Sequence, residues 1–188
     1  YNSGQTFMSA IKNASSGRVL EIGSRARSGN VRREWFSDKL EYVGLDIIKG
    51  ENVDVVGDAH SLSLLFPENH FDFVFSASVF EHLAMPWKVV LELNKVMRQQ
   101  AIGLIVSHQT YPVHDAPWDF FRFSKYAWKS LFNTATGFQV IEAEMGEPCA
   151  VLAAPYAPHL LEMDNNQGYL ASLCVFKKIS PTCLQWNV

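Results

Sequence analysis

The sequence has few cysteines, no long apolar run and no excess of positive charge, and each absence excludes a class of protein. Three widely spaced cysteines without a CxxC pair predict neither a disulfide framework nor a zinc site, so we expect a reducing compartment, the cytoplasm. No apolar run approaches the roughly 18 residues that span a bilayer, so no membrane partner is expected. A net charge of −3 argues against a nucleic-acid partner, because phosphate contacts need a basic face.

The composition is that of one globular domain. Apolar residues make up 48% and charged residues 19% of the 188 positions, which is typical of a folded chain. We expect a single domain over residues 1–188, without repeats or an interdomain linker. No signal peptide is visible, and a chain that begins with Tyr1 rather than Met is expected to start further upstream. The sequence leaves the oligomeric state open.

The segment 18–46 organises the chain as a strand, a turn, a helix and a second strand. The first strand is apolar up to Gly23, a residue that lets the backbone come close to a ligand. The second strand ends at Asp46, 23 residues after Gly23, near the spacing at which a carboxylate accepts hydrogen bonds from a ribose diol. Ligands of open α/β sheets bind beyond the carboxyl ends of the strands. The segment therefore predicts a site for a nucleoside-containing cofactor.

Alternating apolar patterns predict the other elements. They are a leading helix over 5–14, a helix beginning at 29–30, strands over 53–57, 71–77 and 101–107, helices beginning at 85 and after Ser124, strands over 138–143 and 169–179, and a short helix near 159–163. The connection 48–52 is too short for an ordinary parallel crossover, so we expect either an extended loop or a short strand there. The alternation, followed by two neighbouring strands, predicts an α/β fold with a mostly parallel sheet and an antiparallel edge.

Four segments resemble successive motifs of class I S-adenosylmethionine-dependent methyltransferases. They are VLEIG (19–23), YVGLD (42–46), VVGDAH (55–60) and FDFVFS (71–76), extended by EHL (81–83), PWD (117–119) and GF (137–138). Each motif alone is weak, whereas their order and spacing together are specific. The resemblance implies a three-layer Rossmann-like sandwich with a seven-stranded sheet, one antiparallel strand near its edge, and S-adenosyl-L-methionine as cofactor.

The resemblance also implies which residues bind the cofactor. The residues concerned are Glu21, Gly23, Ser24, Asp46, Ile47, Asp58, Ala59 and Ser76. The turn at Gly23 would lie against the methionine end, and Asp46 would bind the ribose hydroxyls. Asp58 and Ala59 would border the adenine, and Ser76 would close the site beside the sulfonium.

Two features at the end of the first strand bear on cofactor binding. Glu21 is expected to fix the turn or to bind the cofactor amine, with an ordinary strand-end carboxylate as the alternative. The turn itself departs from the family pattern, because Ser24, Arg25, Ala26 and Arg27 replace most of the usual glycines. Bulkier residues leave less room for the backbone to approach a ligand.

Histidines that follow the fourth and fifth strands are the candidates for catalysis. His82 and His114 are the predicted catalytic residues, with His108 nearby, because an imidazole can take the proton from a hydroxyl acceptor. The alternative is an ordinary hydrogen-bonded role in the loops. The histidines lack any ligand spacing such as HxxxH, so no metal site is predicted.

The aromatic segment 111–123 is a candidate lid or acceptor wall. Trp118 and Phe120 could shield a sulfonium or stack on a ring, and Arg122 could hold an anionic acceptor. In the alternative interpretation the aromatic residues belong to the core and Arg122 pairs with Asp119.

These features predict a methyltransferase that acts on the oxygen or nitrogen of a small soluble metabolite or sugar-like acceptor. The alternative is a catalytically inactive member of the fold that serves as a binding or scaffold module, which the altered turn favours. A nicotinamide-dependent oxidoreductase lacks support, because residues 23–28 do not supply the later glycines of GxGxxG. The acceptor and the base are not identified by the sequence.

Overall fold

The computed structural model describes residues 4–27, 29, 31–152, 156 and 167–185. Its strands are β1 (Gly17–Ile22), β2 (Leu40–Asp46), β3 (Val55–Val56), β4 (Phe71–Ala77), β5 (Met97–His108), β6 (Phe138–Ala150) and β7 (Gln167–Lys178). Its α-helices are α1 (Gln5–Asn13), α2 (Leu62–Leu65), α3 (Pro86–Val96) and α4 (Lys125–Leu131), with single 3₁₀ turns at Arg32–Trp35, Ala59–Ser61 and Phe80–His82. Over these ranges, no helix is both long and apolar enough to cross a membrane.

All seven strands belong to one sheet in the order β3-β2-β1-β4-β5-β7-β6. The first five strands in that order run parallel, and β7 lies antiparallel between β5 and β6. The predicted fold, a seven-stranded and mostly parallel sheet with one antiparallel strand near its edge, is confirmed. Because the parallel strands share one direction, the carboxyl ends of β1 to β5 meet at the same edge of the sheet.

The sheet separates two apolar clusters, which gives the three layers. Alternate residues of β1 enter opposite clusters, with Leu20 on the side of helices α2, α3 and α4, and Val19 on the side of α1. The central strand β4 is buried on both faces, as its nearly continuous apolar run predicts. The largest side chain of the first cluster, Trp128 on α4, is fully buried and stacks on Phe123. The buried sheet thus supplies a fixed base for the loops at its carboxyl edge.

The helix predicted from residues 29–30 is wrong in length. Among the described residues between β1 and β2 the helical structure is one 3₁₀ turn, Arg32–Trp35, and Trp35 is 52% exposed. Its arginines point to carboxylates instead of forming the polar face of a long helix: Arg32 pairs with Glu21, and Arg33 pairs with Asp54. Strand β2 begins at Leu40, so only residues 36–39 follow the 3₁₀ turn, too few for two further helical turns.

The connection between β2 and β3, residues 47–54, contains no helix. Strand β3 is only two residues long. The loop 47–54 is held against β2 at its end, where the Gly44 amide donates to the Asp54 carboxylate at 2.7 Å and the Asp54 amide donates to the Gly44 carbonyl at 2.8 Å. Of the two predicted alternatives, the short strand is therefore correct. The predicted strand over 53–57 was too long.

Other bounds differ by a few residues. Strand β5 begins four residues earlier than predicted, and β6 continues seven residues further. Both late strands are longer because β6 and β7 pair over nearly their whole length, to Ala150 and Gln167. The predicted short helix near 159–163 lies outside the described residues.

Candidate cofactor and acceptor site

The turn after β1 has a shape that only glycine can provide. Gly23 has a φ of +76°, and a Cβ at this position would overlap the Cγ2 atom of Val79. The Gly23 and Ser24 amides both donate to the Leu45 carbonyl, at 2.8 and 3.0 Å, which fixes the turn to the end of β2. The backbone of this turn is therefore held close to the loop that follows β4. A methionine moiety packed on a bare backbone fits such a turn.

Asp46 is the last residue of β2 and lies beside the turn. Its carboxylate accepts hydrogen bonds from the Ile48 amide at 2.9 Å and the Arg25 amide at 3.3 Å. A carboxylate offers about four acceptor positions, so two remain for a ribose diol. The Arg25 Nε atom is 3.7 Å from Asp46 Oδ1, and among the described residues this buried nitrogen has no hydrogen-bond partner.

Three other predicted cofactor-binding residues follow strands β2 and β3. Ile47 directly follows Asp46 and its side chain is 67% exposed, which leaves an apolar surface for a ring. Asp58 accepts hydrogen bonds from the amide and the ring Nδ1 of His60, at 2.9 and 2.7 Å. Partial burial alone would raise the pKa of Asp58, but these bonds outweigh it and the pKa lies below its usual value. Ala59 is buried directly behind this carboxylate.

Glu21 is fully buried in β1, two residues before Gly23. Its oxygens accept hydrogen bonds from the Tyr42 hydroxyl and from Arg32, the latter at 3.2 Å. Burial raises the pKa of Glu21, and burial together with the Glu21 carboxylate raises the pKa of Tyr42. Both carboxylate oxygens thus have protein partners, an arrangement suited to fixing the turn.

Ser24 and Ser76 are also buried rather than open to the sheet edge. The Ser76 hydroxyl donates to the Ile22 carbonyl at 3.1 Å and so joins β4 to β1. The Ser24 hydroxyl packs against Gly44 and makes no hydrogen bond within the described part of the chain. Any contact that these two residues make with a cofactor would come from their backbone.

On the other side of Val79, a second buried carboxylate follows β4. Glu81 is fully buried, and its Oε2 atom accepts a hydrogen bond from the Ser107 hydroxyl at 2.6 Å. Its Oε1 atom lies 3.2 Å from His108 Nε2 and 4.0 Å from His82 Nε2. Neither nitrogen is aligned for a hydrogen bond, so this oxygen has no hydrogen-bond donor among the described residues.

The structure brings the predicted catalytic histidines together around Glu81. The ring centroids of His82 and His114 are 4.8 Å apart, and those of His108 and His114 are 5.1 Å apart. Tyr111 stacks on His108 with a centroid distance of 4.2 Å. Burial lowers the pKa of His108 below its usual value, against the pull of Glu81. We call Glu81, His82, His108 and His114 the histidine cluster.

Backbone and carboxylate groups orient two of these imidazoles. His82 Nδ1 lies 2.7 Å from the Trp118 carbonyl oxygen, and His114 Nδ1 lies 3.1 Å from Asp119 Oδ2. Two hydrogen bonds from Arg122, at 2.6 and 2.7 Å, hold Asp119 in place. These bonds lower the pKa of Asp119 well below its usual value.

The aromatic segment 111–123 divides into buried and exposed parts. Phe121 and Phe123 pack on the core, whereas Trp118 and Phe120 remain 66% and 42% exposed beside the cluster. Arg122 pairs with Asp119, as the alternative interpretation predicted. The segment is therefore partly a wall of the core and partly an open surface.

Two residues of the site were missed as functional candidates. Glu81 appeared only as part of a motif, although a carboxylate directly before a histidine at a strand end is a recognisable signal for paired chemistry. Arg25 appeared only as a residue that replaces a glycine of the turn, and nothing in its local sequence indicates contact with Asp46.

Part of the chain matches a known protein family. Residues 20–105 match the methyltransferase domain family. No curated protein sequence matches the chain.

Solved structures share the fold at low sequence identity. The structure of a SAM-dependent methyltransferase from Archaeoglobus fulgidus superimposes with a TM-score of 0.67 at 18% identity, covering 93% of this chain and 91% of that chain. The YcgJ protein from Bacillus subtilis superimposes with a TM-score of 0.65 at 19% identity, covering 94% of this chain and 97% of that chain. A third similar structure is a chain from the complex between the Haloferax volcanii Trm112 methyltransferase activator and a putative methyltransferase. It superimposes with a TM-score of 0.63 at 18% identity, covering 95% of this chain and 89% of that chain.

The domain match covers the motifs at Gly23, Asp46, Asp58 and Ser76, and the Archaeoglobus fulgidus structure superimposes over 93% of the chain. The acceptor capacity of Asp46 fits the ribose part of S-adenosylmethionine. Residues 20–105 thus match the methyltransferase domain family, the chain has the fold of SAM-dependent methyltransferases, and both findings imply S-adenosyl-L-methionine as the cofactor.

Proposed function

We propose that this protein transfers a methyl group to the oxygen or nitrogen of a small, soluble metabolite or sugar-like acceptor. One observation carries the proposal: Val79 packs against Gly23, and Glu81 and His82 follow it two and three residues later. The cofactor turn and the histidine cluster therefore meet across one side chain. A donor held at the turn and an acceptor held at the cluster would be neighbours.

S-adenosylmethionine supplies an electrophilic methyl group on a sulfonium. The chain's own residues would align the reactants: Gly23 and Asp46 bind the donor, and His82 and His114 hold the nucleophilic atom of the acceptor. Alignment of two reactants can be worth about 7–11 kcal/mol in favourable cases. Trp118 and Phe120 would exclude water and stack on the acceptor.

A neutral acceptor is favoured over an anionic one. The Arg122 guanidinium donates to Asp119 and to three carbonyl oxygens, those of Tyr111, Pro112 and Phe121. Little of its donor capacity remains for a substrate carboxylate or phosphate. The exposed rings of Trp118 and Phe120 suit the apolar face of a sugar or an aromatic ring. We expect a small acceptor rather than a nucleic acid, in keeping with the net charge of −3.

A binding or scaffold module without activity is the second candidate. Arg25 favours it, because its side chain crowds Gly50 and its Nε atom lies near the Asp46 carboxylate. A positive charge there would compete with the ribose hydroxyls. For the location, we propose the cytoplasm, which suits the free thiols of Cys149, Cys174 and Cys183.

Calorimetric titration and a transfer assay test the proposal. We expect S-adenosylmethionine and S-adenosylhomocysteine to bind with one site per chain, and Asp46→Ala to weaken both at least tenfold, about 1.4 kcal/mol. Glu41→Ala is the matched control, because Glu41 lies near the other end of β2 and pairs with Arg18 on the surface. Labelled methyl donor should then mark a compound in a panel of sugars, phenols and amines.

Equal affinities of wild type and Asp46→Ala would contradict the ribose assignment. Binding without transfer to any compound in cell extracts would favour the scaffold module. Tighter binding of NAD than of either adenosyl compound would contradict both candidates.

A further inference from the structure

Three possible metal-ligating side chains of the histidine cluster lie close together. Glu81, His82 and His114 each offer one ligand atom, and these atoms all lie within 4.8 Å of one another. Glu81 and His82 follow β4, whereas His114 comes from the aromatic segment more than thirty residues later. The fold therefore assembles this group from two separate segments.

The hydrogen bonds of the two imidazoles determine which nitrogen carries the proton. The Trp118 carbonyl, 2.7 Å from His82 Nδ1, can only accept, so Nδ1 of His82 is the protonated nitrogen. His114 Nδ1 lies 3.1 Å from the Asp119 carboxylate and 3.3 Å from the Pro112 carbonyl, which are also acceptors. In the neutral rings, Nε2 of both histidines therefore keeps its lone pair.

Glu81 contributes a third lone pair that the protein does not satisfy. Its Oε1 atom is buried without a hydrogen-bond donor among the described residues. Leaving a buried charged acceptor unpaired costs at least about 1–3 kcal/mol. His108 Nε2 lies 3.2 Å from this oxygen but is not aligned to donate to it. A carboxylate oxygen and two imidazole nitrogens this close to one another are stabilised when a cation lies between them.

The outer partners match those of metal-binding histidines. A ligating histidine usually donates its other ring N–H to a carboxylate or a backbone carbonyl, which fixes its orientation and raises its basicity. The Pro112 carbonyl accepts from His114 Nδ1 at 3.3 Å with the Asp119 carboxylate 3.1 Å from the same nitrogen, and the Trp118 carbonyl accepts from His82 Nδ1. Asp119 is in turn held by Arg122. Two imidazoles and one carboxylate form a ligand set for Zn²⁺ and related divalent transition metals.

We propose that Glu81 Oε1, His82 Nε2 and His114 Nε2 bind one divalent transition-metal ion and leave a coordination position open to the methyl acceptor. Bonds of about 2.0–2.2 Å require small rotations of the three side chains to draw the ligand atoms together. In the open position the ion binds the acceptor's hydroxyl oxygen and lowers the pKa of that hydroxyl, and the released proton passes to water. The role toward the acceptor rests on the proposed function, whereas the binding of the ion does not.

Metal titration of the purified full chain tests the proposal without any substrate. We expect one equivalent of Co²⁺ to bind at pH 7.5 with visible d–d absorption, and one equivalent of Zn²⁺ to displace it. His114→Asn and His82→Asn should each weaken Co²⁺ binding at least 100-fold, and Asp119→Asn about tenfold. Circular dichroism shows whether each variant is folded.

His70→Asn is the control for nonspecific histidine binding. His70 immediately precedes β4, at the opposite end of that strand, where it contacts Phe71 and Arg18. This variant should bind Co²⁺ like wild type. X-ray absorption of the Zn²⁺-loaded wild type needs no variant, and its scattering pattern should show two imidazoles and at least one oxygen ligand.

Stoichiometric binding that His114→Asn or His82→Asn abolishes, with His70→Asn unchanged, supports the site. No saturable Co²⁺ or Zn²⁺ binding, binding that both cluster variants retain, or a scattering pattern without two imidazoles overturns it. Failure here is distinguishable from failure of the proposed function. A wild-type protein that binds S-adenosylmethionine but no metal overturns this inference alone. A wild-type protein that binds the metal but not S-adenosylmethionine overturns only the proposed function.

Discussion

Two glutamates lie at the carboxyl edge of neighbouring strands, and both are fully buried, but their surroundings differ. Glu21, near the end of β1, has a partner on each oxygen: Arg32 on Oε1 and the Tyr42 hydroxyl on Oε2. Glu81, after β4, has Ser107 on Oε2 and no hydrogen-bond donor on Oε1 within the described ranges. A carboxylate with two protein partners stabilises the structure, whereas one with a free buried oxygen is suited to a ligand.

The same contrast extends to the two halves of the site. In the cofactor half, the residues around Gly23 and Asp46 are tied to one another through backbone amides. In the acceptor half, three histidine rings surround Glu81 and are oriented mainly from outside, by the Trp118 carbonyl and Asp119. We therefore expect mutations in the first half to affect donor binding, and mutations in the second half to affect transfer and metal binding.

The largest effect is expected for Gly23→Ala. The new methyl group would overlap Val79 and force a left-handed backbone on alanine, so S-adenosylmethionine affinity should fall at least 100-fold, about 2.8 kcal/mol. Calorimetric titration measures this change. Gly29→Ala is a matched control, because Gly29 has nearly the same φ, +75°, but no described residue other than its chain neighbours has an atom within 4 Å of the added carbon. Similar affinities for the two variants would show that the turn does not need a bare backbone.

The second effect separates the two halves directly. Glu81→Gln should lower the methyl-transfer rate at least tenfold, because the amide supplies one weaker ligand oxygen and no charge. Its affinity for S-adenosylmethionine should stay within twofold of wild type. Transfer assays and calorimetry on the same preparation measure both quantities. A parallel loss of donor affinity would mean that the halves are not independent.

A smaller effect is expected from Glu21→Gln, and it should depend on pH. Burial raises the pKa of Glu21 in the folded chain, despite the opposing influence of Tyr42, Arg32 and Arg33. The stability that this carboxyl contributes is then fully present below its unfolded pKa and is lost as the pH rises through the folded pKa. Wild type should therefore lose stability relative to Glu21→Gln as the pH rises above about 4.3, the unfolded pKa of a glutamate, by about 1.4 kcal/mol for each tenfold difference in proton affinity.

Urea unfolding at several pH values measures this difference. The donor affinity of Glu21→Gln should remain near that of wild type, since both oxygens of Glu21 are engaged by the protein. A stability difference that shifts in favour of wild type with rising pH would contradict the assignment of burial as the dominant cause.

The smallest effect is expected at the ion pair that joins the two halves. Arg27 in the turn pairs with Asp115 in the aromatic segment, and their side chains are 58% and 37% exposed. Exposed pairs contribute about 0–1 kcal/mol, so Arg27→Ala should change the free energy of unfolding by less than about 0.5 kcal/mol. A larger loss in thermal unfolding, or a marked change in donor affinity, would show that the aromatic segment is coupled to the turn.

The placement of Gly23 and Asp46 at one edge of the sheet was predictable because its signals are local. Gly23 and Asp46 stand at the ends of apolar strands, and parallel neighbours bring strand ends together without further information. The burial of Glu21 and Ser76 could have been read from the alternation of the strands, which directs every second side chain into a cluster. The short β3 was foreseen only as one of two alternatives. Hydrogen bonds between Gly44 and Asp54 hold the connection in place of a crossover helix, and the sequence pattern does not reveal them.

The acceptor half was predictable only in part. His82 and His114 were identified individually, but their contact depends on how residues 109–123 fold back over β4. The Phe120 and Phe121 amides donate to the Glu81 carbonyl, at 2.8 and 3.1 Å, and these bonds seat the segment. No short spacing in the sequence encodes them. The three residues of the proposed metal site do not share one helix or strand, so no short spacing in the sequence groups them either.

A crystal structure with bound S-adenosylhomocysteine tests the central claim most directly, because it shows both halves in one measurement. The account predicts both ribose hydroxyls within hydrogen-bond distance of the Asp46 carboxylate, the adenine against Ile47 and the thioether sulfur between Gly23 and the histidine cluster. An adenosyl group bound elsewhere, or Arg25 retained on Asp46 in place of the ribose, would contradict it.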